Sequence, residues 1–121
     1  MATEEQILKR LRKLCLALPE ARETVTFGHP TFQAGKKTFA VLEEYRGKLT
    51  LAFRSDPIEQ QELTIDPRYF ITPYTGKHGW VSLIVEGKLD WSEIAGHVQD
   101  SYRRAANQRM LKALDRDQGR L

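Results

Sequence analysis

Between Pro73 and Gly79 the chain carries Lys77 beside His78, with Tyr74 inside the stretch and Trp80 just after it. A cation, an imidazole and two aromatic rings on one proline- and glycine-rich loop can meet a polyanion or a flat ligand, although an ordinary surface hairpin has the same composition. Further cations fall in two tight turns, Lys36 with Lys37 and Arg46 with Lys48, and Arg54 closes a strand. Lysine and arginine in these positions can neutralise phosphates and release counterions, and Trp80, Tyr74 or His78 can stack on a base. The same residues also serve plain solubility, and Trp80 equally suits a sheet core.

Other chemistry finds little support. No glycine-rich phosphate loop occurs. His29, His78 and His97 are far apart, and none has a second histidine or a cysteine at metal-ligand spacing. Cys15 is the only cysteine, which rules out an intramolecular disulfide, and its place among Ile7, Leu8, Leu11, Leu14 and Leu18 makes it a small core hydrophobe. Glu43 and Glu44 are neighbours on a strand and so point to opposite faces, while Asp115 and Asp117 lie in the tail. Ser82 and Ser101 lack the setting of a nucleophile. No enzyme, cofactor or metal is expected.

A net charge of +3 and an isoelectric point near 9.1 permit nucleic-acid binding without requiring it. The charge is unevenly spread. Lys9, Arg10, Arg12 and Lys13 share the first helix, Arg103, Arg104, Arg109 and Lys112 share the last, and Asp56–Asp66 holds four acids and no base. A solvated face explains each helical run. The 121 residues suit one domain, 1–121. No run approaches a membrane span, and the charged N-terminus lacks a signal's apolar centre, so a cytoplasmic monomer is the default expectation.

The elements that position these residues follow from local signals. Thr3 and Gln6 form a capping box for a helix running to Leu18, with Pro19 as its stop. Glu23–Phe27 reads as a strand, with Glu23, Thr24 and Thr26 outward and Val25 and Phe27 on the apolar side. Gly28-His29-Pro30 is a break. Short turns join Thr31–Ala34, Thr38–Glu44 and Leu49–Arg54 into an antiparallel meander. Within it alternation puts Phe39, Val41 and Glu43 on one side of their strand, opposite Ala40 and Leu42. Asp56-Pro57 starts a short helix that ends before Asp66-Pro67. Tyr69–Thr72 and Trp80–Val85 are strands flanking the loop, and a helix covers Trp91–Leu114, leaving 115–121 as a frayed tail. The whole is an α+β two-layer sandwich, an antiparallel sheet backed by N- and C-terminal helices with a short helix inserted between strands. The sheet's other face is left wet or free to bind.

The succession Leu18-Pro19-Glu20, Phe27-Gly28-His29-Pro30, Phe32-Gln33-Ala34-Gly35-Lys36-Lys37-Thr38-Phe39-Ala40, Pro73-Tyr74-Thr75-Gly76-Lys77-His78-Gly79-Trp80-Val81 and Ser101-Tyr102-Arg103 resembles the MmcQ/YjbR family over nearly the whole chain. The resemblance implies a bacterial protein with a frataxin-like, or CyaY-like, fold that binds DNA through a double-wing arrangement. Many members have a His-Met-Asn-Lys run where this chain has Tyr74-Thr75-Gly76-Lys77, so only Lys77 and Trp80 match that pattern cleanly. Frataxin-like iron binding relies on an acidic helix and edge, whereas the first helix here is basic after its first turn. The leading expectation is a DNA-binding module of little sequence specificity using Lys36, Lys37, Arg46, Lys48, Arg54, Lys77, His78 and Trp80. The alternative is a small-molecule or protein-binding domain using the open sheet face and a pocket at Tyr74, His78 and Trp80.

Overall fold

In chain order the computed structural model, which describes residues 3–119, runs α1 (Glu4–Leu16), β1 (Ala21–Thr26), β2 (His29–Ala34), β3 (Lys37–Tyr45), β4 (Lys48–Arg54), α2 (Pro57–Leu63), β5 (Tyr69–Ile71), a 3-10 turn (Thr75–His78), β6 (Trp80–Ile84), α3 (Trp91–Ala105) and α4 (Gln108–Asp117). The strands make one antiparallel sheet in the order β1-β2-β3-β4-β6-β5. Helices α1, α3 and α4 lay apolar stripes on one face, where Ile7, Leu11 and Cys15 meet Phe32, Leu42, Leu51, Phe53, Val81, Leu83, Ile94, Val98 and Tyr102. This is the expected α+β fold with a short helix between strands. Burial also pushes the Cys15 thiol pKa up, so the residue is an inert piece of core.

Local signals set most boundaries. Thr3 and Gln6 satisfy each other's backbone N–H groups at the start of α1. The helix ends at Leu16 rather than Leu18, because a residue before proline is pushed out of helical geometry. Asp56 caps α2 by accepting from the Glu59 N–H at 2.8 Å. The single C-terminal helix of the sequence reading is two. Ala106 is extended, and Asn107 caps α4 by accepting from the Met110 N–H at 2.9 Å. The expected frayed tail is helical through Asp117, held by Arg103 to Asp115 at 3.0 Å and by Gln118 to Gln99 at 3.1 Å; Arg120 and Leu121 lie outside the described residues.

Two face assignments change. In β1, Glu23 shares the helix side with Val25 and is held there by Arg12 at 2.6 Å, while Val25 and Phe27 are exposed instead of buried. In β3, two residues advance against one of β2 between Phe32 and Gln33, a β-bulge at Phe39. The bulge turns Phe39 to the helix side with Ala40 and Leu42, edge-on to the Tyr102 ring at 5.5 Å, and leaves Val41 and Glu43 on the other face. It also breaks the regular ladder beside the Thr38 and Phe39 carbonyls, which side chains take up. Ser101 Oγ on α3 donates to the Phe39 carbonyl at 2.5 Å and accepts from the Arg54 N–H at 2.8 Å. Arg54 Nε donates to the Thr38 carbonyl at 2.7 Å.

The outer face is not the flat wet surface that a two-layer sandwich suggests. Thr31, Thr50, Ala52 and Ser82 are all buried on it. The rings of Tyr45 on β3 and Phe70 on β5 stack 5.2 Å apart, although strands about 14 Å apart in a flat sheet carry them. Small residues in the middle and long ones toward the rim let the curled sheet close over its own centre.

Candidate functional site

One end of this outer face stays open as a cleft of about 370 Å³, floored by Thr38, Val41, Ala52, Thr72 and Trp80, with Glu43 in its wall and Phe27, Pro73, Tyr74 and Thr75 at its sides. The two rim aromatics are held in disfavoured backbone. Phe27 and Gly28 make the β1–β2 turn with φ of 52° and 80°, the mirror-image hairpin turn that right-twisted strands require. Glycine, asparagine or aspartate normally takes the first position, yet here a phenylalanine occupies it while 94% exposed. Tyr74 has φ 66° and ψ −52°, with the Thr75 N–H donating to the Pro73 carbonyl at 2.7 Å, a strained three-residue γ-turn. It is 93% exposed. Such conformations cost about 1–3 kcal/mol each and gather where a side chain must be presented rather than packed.

Trp80 is neither a free stacking residue nor part of the helix-side core. It is 7% exposed, lies on the outer face, and carries the Arg54 guanidinium 5.2 Å from its ring centroid. Arg54 is half-buried, and that burial lowers its pKa; with its Nε bound to Thr38 it frames the cleft more than it reaches into solvent. Lys77 and His78 are exposed on the 3-10 turn, and His78 does not line the cleft, so the expected Tyr74–His78–Trp80 pocket keeps only Tyr74 and Trp80. Lys36 and Lys37 occupy one end of the nine-residue β3, and Arg46 and Lys48 flank the turn at its other end, so the two basic turns stand roughly 27 Å apart.

Glu43, Phe27 and Gln60 were missed as site residues. Phe27 beside a turn glycine and Glu43 inside an apolar strand were visible oddities. Burial raises the Glu43 pKa and nearby His29 lowers it, and its carboxylate takes no hydrogen bond or ion pair among the described residues. Gln60 gave no signal at all. It is buried on α2, where its amide donates to the Gly76 carbonyl at 2.8 Å and the Trp80 carbonyl at 3.0 Å, clamping both ends of the loop.

A second depression, about 470 Å³, lies on the helix layer among Arg10, Lys13, Leu14 and Trp91, with Arg10 4.5 Å above the Trp91 ring. A third cluster ties β5 to α3. Tyr69 donates to Glu93, its hydroxyl lies 2.8 Å from His97 Nε2, Arg68 bridges Asp66 and Glu93, and His97 stacks on Phe53 at 4.6 Å. Burial lowers the His97 pKa from its ordinary 6.5, with Glu93 opposing. The unfolded imidazole therefore takes its proton at a higher pH than the folded one, and in that window stability falls as pH falls. Thermal melts should show Tm dropping between pH 7 and about 5.5, and His97→Gln should flatten that part of the profile; an unchanged profile would remove His97 as the cause. No group of three or more metal-ligating side chains occurs among the described residues, and none of their helices is long and apolar enough to cross a membrane.

A family model described as YjbR matches residues 16–104. The fold is similar to the crystal structure of a Deinococcus radiodurans protein with the family-model domain DUF419, at a TM-score of 0.71 and 22% identity over 93% of this chain and 87% of that one. It is also similar to a Pseudomonas syringae protein, at a TM-score of 0.69 and 14% identity over 86% and 99%. No curated protein matches the sequence.

Proposed function

We propose a nucleic-acid-binding role for this chain, which belongs to the YjbR family. The reading rests on how the cations are sorted. Arg12, Arg68, Arg103, Arg104 and Arg109 are each held by a carboxylate at 2.6–3.0 Å. Lys36, Lys37, Arg46, Lys48 and Lys77 are exposed on the sheet's turns and in no ion pair among the described residues. Cations free of carboxylates on two turns and a 3-10 loop, Arg46 among them over the Tyr45 ring, bracket a cleft with presented aromatics and suit a phosphate backbone crossing the outer face. Lys9, Arg10, Lys13, Lys112 and Arg116 are likewise in no ion pair among the described residues but lie on the helix layer, where the only ring beside the second depression, Trp91, already carries Arg10. None of the sheet-side cations lies on an α-helix that could enter a major groove, so contacts to the backbone dominate and sequence preference is slight.

Binding to labelled single-stranded and duplex DNA across a salt series tests the reading. Affinity should fall steeply with salt, and Lys36, Lys37 and Lys77 all replaced by alanine should flatten the log–log slope by roughly 2–3 units. Absence of binding at low salt would overturn the role. Binding that survives the triple replacement but disappears in Arg10→Ala/Lys13→Ala would move it to the helix layer.

A further inference from the structure

We propose that the outer-face cleft receives one unstacked nucleobase, flanked by Phe27 and Tyr74 and presenting its amino edge to Glu43, so that the protein favours single-stranded over duplex nucleic acid. The inference rests on the nucleic-acid reading and names what that site holds. The cleft is lined by apolar and aromatic side chains and three threonines, and its one charged lining residue is the Glu43 carboxylate, which disfavours a phosphate there and leaves it to the basic turns outside. A flat ring fits instead. Its volume of about 370 Å³ lies at the small end of ligand pockets. Its sides carry two almost fully exposed aromatic rings on strained backbone, and its floor includes the Trp80 ring. Stacking on such rings is how proteins hold bases without reading sequence.

Glu43 supplies the charged directional contact. Its carboxylate is half-buried in the wall, has no hydrogen-bonding partner among the described residues, and can only accept when ionised. A carboxylate accepts from the amino group of cytosine, whereas thymine shows it carbonyl oxygens on both sides of its one ring N–H. Paired bases in a duplex cannot enter, since both their faces are already stacked on neighbouring pairs.

The test compares labelled oligodeoxycytidine, oligothymidine and a mixed duplex of equal length on the full chain, its Phe27→Ala and Glu43→Gln variants, and a Trp91→Phe form in which Trp80 is the only tryptophan. The expected order is oligodeoxycytidine, then oligothymidine, then duplex. Phe27→Ala should weaken both single strands about tenfold with an unchanged salt slope. Glu43→Gln should erase the preference for cytosine over thymine, and free cytidine should quench Trp80. Salt-dependent binding with neither variant changing affinity or preference, or duplex bound as tightly as single strands, overturns the cleft assignment and leaves the nucleic-acid role standing. Quenching by cytidine without binding of any oligonucleotide overturns that role while the cleft keeps its base.

Discussion

Gly79→Ala is expected to destabilise the fold by about 3 kcal/mol or more. Two independent costs act at this position. Its φ of 93° lies where an L side chain is strained, and a Cβ there would stand 2.6 Å from the Ser55 carbonyl oxygen and 3.2 Å from its carbon. Neither atom can move away cheaply, because Ser55 is itself bonded through its N–H to the Gly79 carbonyl at 2.9 Å. Backbone meets backbone where the loop rejoins β6. Gly28→Ala is the matched control, since φ is 80° there but nothing lies within 4 Å of the new methyl. It should cost only about 1–2 kcal/mol, the conformational part alone. Urea denaturation of the two variants separates the effects, and equal losses would show that the contact with Ser55 contributes nothing.

Gln60→Glu is the second large effect, expected at about 2–4 kcal/mol with loss of the cleft's geometry. The substitution keeps size and shape but replaces an N–H₂ donor by an acceptor facing the Gly76 and Trp80 carbonyls. At 8% exposure the new carboxylate has little access to water, and both carbonyls lose their donor. The loop that presents Tyr74 and positions Trp80 is then held only by its backbone bonds. Single-strand binding should therefore weaken although no cation has been touched. Gln61→Glu, on the exposed neighbour, should shift stability by no more than about 0.5 kcal/mol. If both substitutions behave alike in denaturation and binding, the clamp is not what orders the loop.

Phe27 shows where reading the residues in order reaches its end. Its placement before Gly28 between two strand-like runs marks a turn, and alternation along β1 then assigns it and Val25 to an apolar side. Alternation says which residues share a face. It cannot say whether a helix arrives to cover that face, and at this end of β1 none does. The bulge at Phe39 is a similar case: one extra residue reverses the faces on either side of it, with no mark in the local sequence. Arg54 reads as a free cation until the bulge offers it the Thr38 carbonyl. The C-terminal stripe reads as one helix because Asn107 interrupts its hydrophobic period without destroying it, and only the chain's bend there lets α4 reach the core through Met110 and Leu114.

The sequence by itself determined most of what depends on near neighbours: most of the elements with their caps and turns, the antiparallel order of the meander, the α+β class and the motifs of the family. These follow from hydrogen bonds and steric limits spanning a few residues, which the local chain carries whole. The tertiary structure alone decided which cations stay unpaired, which aromatics stand exposed, and how Glu43, Phe27, Tyr74 and Trp80 come to share one cleft. Charge pairing, burial and enclosure depend on groups up to 89 positions apart, as Arg109 and Glu20 are. They exist only once the curl of the sheet and the packing of the helices have set those distances.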